Sequence, residues 1–138
     1  MTFPRHVFCD TSFFYACLDP VDQFRGRARE LMKEATLARS ELVTTWDVVS
    51  ETVTLLRYRS SFESAQTFLT KVKPGLRLAH YGDGTRAEAE EVFRIYGAQH
   101  RLSFCDAISF VVVTTLLDGI PCLSFDRDFR GLGLTVLT

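Results

Sequence analysis

No stretch of the 138 residues approaches 18 apolar positions, so no membrane-crossing helix is expected. No Cys-x-x-Cys pair occurs: Cys9, Cys17, Cys105 and Cys122 are scattered, which leaves structural zinc unsupported. They read as small buried hydrophobes of a reducing compartment. Neither a Gly-x-Gly-x-x-Gly nor a P-loop sequence is present, so nucleotide binding by those devices has no support. The three histidines stand apart, with no second ligand at metal spacing. Excess charge is absent too. A net −1 gives no overall pull toward nucleic acid, and leaves the distribution of charge to decide. Arg5 and His6 stand where a secretory leader's apolar core would begin, so the cytoplasm is the expected compartment.

What remains is ordinary globular material, 46% hydrophobic and 24% charged, of a length that suits one domain over residues 1–138. His6-Val7-Phe8-Cys9 reads as a short buried strand stopped by the capping cluster Asp10-Thr11-Ser12. Further strands are expected at 42–45, 76–81, 121–125 and 134–137. Helical patterns fall between them. From Phe24 to Ala38 the apolar offsets mark one face, with Arg25, Arg27, Arg29 and Lys33 outside it. Val48, Val49, Thr52, Val53 and Leu56 form the stripe of a helix that Trp46 opens, and Trp46 reads as a packing anchor. Another helix ends at Pro74-Gly75, and one starting at Asp83 or Thr85 should stop at Gly97. Ser103 caps an apolar helix through Leu117. Alternating strands and helices argue for a three-layer α/β fold on a mostly parallel sheet.

Most of the 17 acidic residues lie on polar helix faces, but four do not. Asp10 ends the first strand, and Asp126 ends the fourth. Glu51 sits beside an apolar helical stripe, between Val48 and Leu55. Asp106 opens an otherwise apolar helix. Each has an ordinary reading: a helix cap, a solvated flank, a complement to a helix dipole, a turn residue. Those readings do not explain why all four fall at one end of one sheet, where open α/β folds bind ligands. Clustered carboxylates repel, and a hard divalent cation with oxygen ligands relieves the repulsion. Such a centre suits phosphodiester hydrolysis without a cysteine or histidine nucleophile.

Four segments in order carry a family resemblance: Val7-Phe8-Cys9-Asp10-Thr11-Ser12, Glu51 within residues 49–56, Ser103-Phe104-Cys105-Asp106-Ala107 and Ser124-Phe125-Asp126-Arg127-Asp128-Phe129. The pattern resembles the PIN domain, most closely the VapC-like ribonuclease toxins of toxin–antitoxin pairs. The resemblance implies a five-stranded parallel sheet of order 3-2-1-4-5. It implies an acidic site of Asp10, Glu51, Asp106 and Asp126, with direct metal contacts at Asp10 and Asp106 and a supporting hydroxyl at Ser12. It implies RNA cleavage with Mg2+ or Mn2+, a homodimer and a cognate antitoxin. Asp128 is a second acid in the last segment; Asp126 is preferred because it directly follows the strand. A PIN-like module that binds RNA or antitoxin without catalysis is the alternative. A phosphatase-type site would want an acid where Ser12 stands, and a receiver-type site a late lysine where residues 124–130 offer only arginines.

Overall fold

The computed structural model describes residues 2–138. Five parallel strands form one sheet: β1 (His6–Cys9), β2 (Glu41–Thr44), β3 (Arg77–Leu78), β4 (Cys122–Leu123) and β5 (Val136–Leu137). Their order is β3-β2-β1-β4-β5, as the resemblance implies. The helices are α1 (Thr11–Leu18), α2 (Arg25–Leu37), α3 (Trp46–Arg59), α4 (Phe62–Thr67), α5 (Asp83–His100), α6 (Phe104–Val111) and the single turn α7 (Arg127–Arg130). They flank the sheet and bury both of its faces. That is why β1 is a run of apolar residues, with Val7, Phe8 and Cys9 fully buried, and does not alternate with polar ones.

β1 is central. It pairs with β2 on one side, Val7 opposite Leu42, and with β4 on the other, Cys9 opposite Leu123. The ladder extends one residue past the strand, where Asp10 N–H donates to the Leu123 carbonyl at 3.1 Å. The carboxyl ends of β1 and β4 therefore lie side by side where the strand order reverses, the place at which such sheets bind ligands.

Several elements differ from the sequence expectation. β3, β4 and β5 have two residues each, because each pairs with its neighbour over two rows only. α5 does not stop at Gly97; it continues to His100 and ends on Arg101 in a left-handed conformation, φ 48°. A glycine inside a helix costs only about 1 kcal/mol, and Gly97 lies against the Phe93 ring within a continuous helix. The apolar helix begun at Phe104 is α-helical only to Val111 and then a π turn over Val112–Leu116. There Thr115 Oγ1 donates to the Val111 carbonyl at 2.7 Å. α4 likewise runs into a π turn at Phe68–Val72 before Pro74. Trp46 is not a packing anchor: it is 60% exposed, with Lys73 Nζ 5.8 Å from its ring centroid. It stands two residues before Val48, and helical positions two apart do not share a face.

Candidate active site

Three of the four singled-out acids converge closely. One carboxylate oxygen from each of Asp10, Asp106 and Asp126 lies within 4.8 Å of the other two. Asp10 and Asp106 are buried and Asp126 is half-buried. Glu51 is not in this tight group, but it borders the same cleft of about 610 Å³. Asp128 does not border it; its backbone N–H donates to Asp126 Oδ1 at 2.9 Å, so the second acid of that segment turns the chain and Asp126 faces the cleft.

Each acid is held by its local structure. Asp10 occupies the N-cap position of α1, yet its side chain makes no capping bond. Its Oδ2 instead accepts from Ser12 Oγ at 2.9 Å and from Ser124 Oγ at 2.8 Å. Those hydroxyls in turn accept the N–H groups of Phe125 and Asp126, at 2.9 and 3.1 Å. Two serines thus tie the end of β1 to the loop after β4 and fix Asp10 between them. Ser12 borders the cleft, where its hydroxyl donates to Asp10 and accepts from the Phe125 N–H. Asp106 closes a capping box at the start of α6: Ser103 Oγ accepts from Asp106 N–H, and Asp106 Oδ2 accepts from Ser103 N–H at 3.2 Å. That occupies Oδ2 and leaves Oδ1 without a protein donor among the described residues.

The electrostatics follow from burial and crowding. Desolvation raises the Asp10 carboxyl above its usual range, against the hydrogen bonds from Ser124 and Ser12, and nearby Asp126 pushes the same way. Asp106 is raised to about 7, first by burial and then by the charge of Asp10. Thr11 borders the cleft with its Oγ1 buried and unpartnered. A set of crowded carboxylate oxygens with no cationic side chain between them fits a hard divalent cation, and the donor set holds no nitrogen or sulfur that would favour zinc. Cys9 and Cys105 sit beside site acids in sequence. Cys9 is fully buried and Cys105 packs against the core, and burial raises both thiols so that they stay protonated.

The cleft also holds residues that sequence reasoning missed. Arg59 borders it, and Glu51, Leu55 and Arg59 repeat at four-residue intervals on one face of α3, a readable signal. Arg101 borders it as well, brought there by the three residues α5 adds beyond Gly97. No sequence signal announces that. Asp22 and Phe24 line it too. Of the basic side chains on α2, Arg29 and Lys33 border a separate depression with Cys17, and Arg27 borders a groove beside Asp126. They do not form one patch.

The acidic centre can be set against known proteins. Among solved structures the chain is similar to VapC20 of Mycobacterium tuberculosis, a toxin that cleaves the sarcin–ricin loop, with 28% identity and a TM-score of 0.78. The match covers 94% of this chain and 96% of that one. No curated protein sequence gives a significant match. The PIN domain model matches residues 7–133, from the strand that carries Asp10 past the turn that carries Asp126. The chain belongs to the PIN domain family.

Proposed function

We propose that residues 1–138 form one nuclease domain that hydrolyses RNA phosphodiester bonds as the toxin of a toxin–antitoxin pair. One observation carries the chemistry: three carboxylates within 4.8 Å of one another at the carboxyl ends of β1 and β4. Family membership and the likeness to VapC20 support the biological role.

Asp10 and Asp106 would hold a divalent cation, Mg2+ or Mn2+, with Asp126 beside them. When bound, that cation supplies positive charge to a phosphodiester and acidity to its water. The protein's own part is positional. Ser12 and Ser124 keep Asp10 fixed and favour its charged form, so the site is assembled before substrate arrives. The Ser103 cap does the same for Asp106. Glu51, which also borders the cleft, would accept a proton from an attacking water or help to hold a second ion through water. Arg59 and Arg101 balance part of the acidic lining and can meet phosphate oxygens of the strand.

The remaining proposals rest on resemblance. The chain pairs with a second copy, is silenced by an antitoxin peptide and works in the cytoplasm. No helix among the described residues is long and apolar enough to cross a membrane. The sarcin–ricin loop of large ribosomal RNA is the first substrate to try, as the target of VapC20. The test is incubation of purified protein with ribosomal RNA, with magnesium or manganese and with chelator. Cation-dependent cleavage that Asp106→Asn abolishes supports the proposal. RNA that stays intact under all conditions, with folded protein, contradicts it and favours a PIN-like binding module.

A further inference from the structure

A second groove, of about 350 Å³, runs alongside the acidic cleft. The two are contiguous, because Phe24, Phe125 and Asp126 border both. Their electrostatic characters are opposite. Five carboxylates and two arginines line the acidic cleft; Arg27, Arg127 and Arg130 line the second groove, where Asp126 is the one acidic side chain and Thr138 also lies. None of the three guanidiniums is used up. Arg27 meets only exposed Glu30, Arg130 donates one bond to the Thr138 hydroxyl, and Arg127 has no ion pair among the described residues.

The groove also has an aromatic wall anchored in the core. Fully buried Phe13 lies 6.5 Å from Phe125, and Phe125 stacks on Phe24 at 4.7 Å with the rings 2° from parallel. The run ends at the surface, where Phe24 is 39% exposed. A rigid aromatic face beside several arginines is the combination that holds single-stranded nucleic acid: rings stack on bases while guanidiniums take phosphate oxygens in paired bonds.

We infer that the groove of Arg27, Arg127 and Arg130 with Phe24 is a subsite for the RNA strand next to the scissile bond. It takes the adjacent phosphate on the arginines and stacks a base on Phe24. This inference rests on the nuclease reading above and extends it to the path of the substrate. An acidic peptide would use the arginines but has no need of the aromatic wall or of the neighbouring acidic centre.

The test uses a fluorescent single-stranded RNA of mixed sequence, bound in chelator over a range of salt, and cleavage kinetics with magnesium on the same RNA. Arg127→Gln combined with Arg130→Gln should weaken binding about tenfold or more and raise KM to match, with kcat nearly unchanged. The salt slope should fall by about 0.7 for each arginine–phosphate pair removed. Phe24→Leu should weaken binding about tenfold without changing that slope. Lys71→Gln, at a separate depression, should behave as wild type. Melting curves confirm that each variant is folded. If wild type binds and cleaves RNA and both groove variants match it, the subsite is wrong and the nuclease reading stands. If the variants lose binding of poly-glutamate but keep that of RNA, the groove serves an acidic partner and the inference is overturned. If wild type neither binds nor cleaves RNA, the nuclease reading fails and takes the subsite with it.

Discussion

α5 and the cleft at the ends of β1 and β4 are both rich in carboxylates, and they put them to opposite physical use. On α5, Asp83 and Glu91 are exposed and pair with Arg86 and Arg94 three residues on. Water screens them, and such pairs add little to stability. In the cleft, Asp10 and Asp106 are buried, face one another and Asp126, and have no cationic partner within the group. Their pKa values rise, and Asp106 reaches about 7. Burial without a counter-charge, not the number of acids, marks the candidate site.

Substitution should show the contrast most strongly in activity. Asp106→Asn or Asp10→Asn keeps the shape and removes a ligand charge, and RNA cleavage should fall more than about 100-fold, since even groups behind a metal ligand cost about 10–100-fold. Glu90→Gln on α5 should leave the rate unchanged. Equal losses at both places would break the comparison.

The serine pair comes next. Ser12→Ala with Ser124→Ala removes both donors to Asp10 Oδ2. Cleavage should drop about 10–100-fold, and more cation should be needed for half-maximal rate. A lower rate with an unchanged cation requirement would mean that the serines do not act through Asp10.

Stability against pH is a smaller effect with a definite sign. Without cation, Asp106 is raised from 3.8 to about 7 in the folded state. A carboxyl raised on folding binds its proton more tightly when folded. Its contribution is full below about pH 4 and is lost as pH rises through about 7. In chelator, wild type should lose melting temperature between about pH 4 and 7, and Asp106→Asn should lose less. Neutralising Glu91 on α5 should leave the curve unchanged.

The smallest effect lies on α5 itself. A Cβ at Gly97 would meet the Phe93 ring at 3.6 Å, ordinary contact, inside a continuous helix. Gly97→Ala should stabilise by about 0.5–1 kcal/mol. A loss of stability would mean that the glycine is needed for the approach of Phe93.

How far the sequence can be read depends on the range of the interaction concerned. The β1 run ending in Asp10 and the Ser103 cap before Asp106 are local patterns, and both stand where expected. The strand order is legible through the family resemblance, and the segments of Asp10, Asp106 and Asp126 each end or begin an element, whereas Glu51 lies inside α3 and outside the tight group. Three things are hidden. The role of Ser124 depends on a partner 114 positions away. The place of Arg101 depends on how far α5 overruns Gly97. The exposure of Trp46 is the third, although its two-residue offset from Val48 is a hint. The fully local expectation for Asp10, a side-chain cap on α1, is also set aside, because the serines claim that carboxylate.

The most direct test needs no RNA. Melting temperatures of wild type and Asp10→Asn are measured near pH 8, in chelator and in millimolar magnesium or manganese. A ligand of the folded state stabilises by mass action, and removing one of several repelling charges stabilises the metal-free fold. Asp10→Asn should therefore melt above wild type in chelator, wild type should gain several degrees from the cation, and the variant should gain much less. Wild type that gains nothing, with Asp10→Asn melting lower in chelator, would contradict a cation site built from Asp10, Asp106 and Asp126.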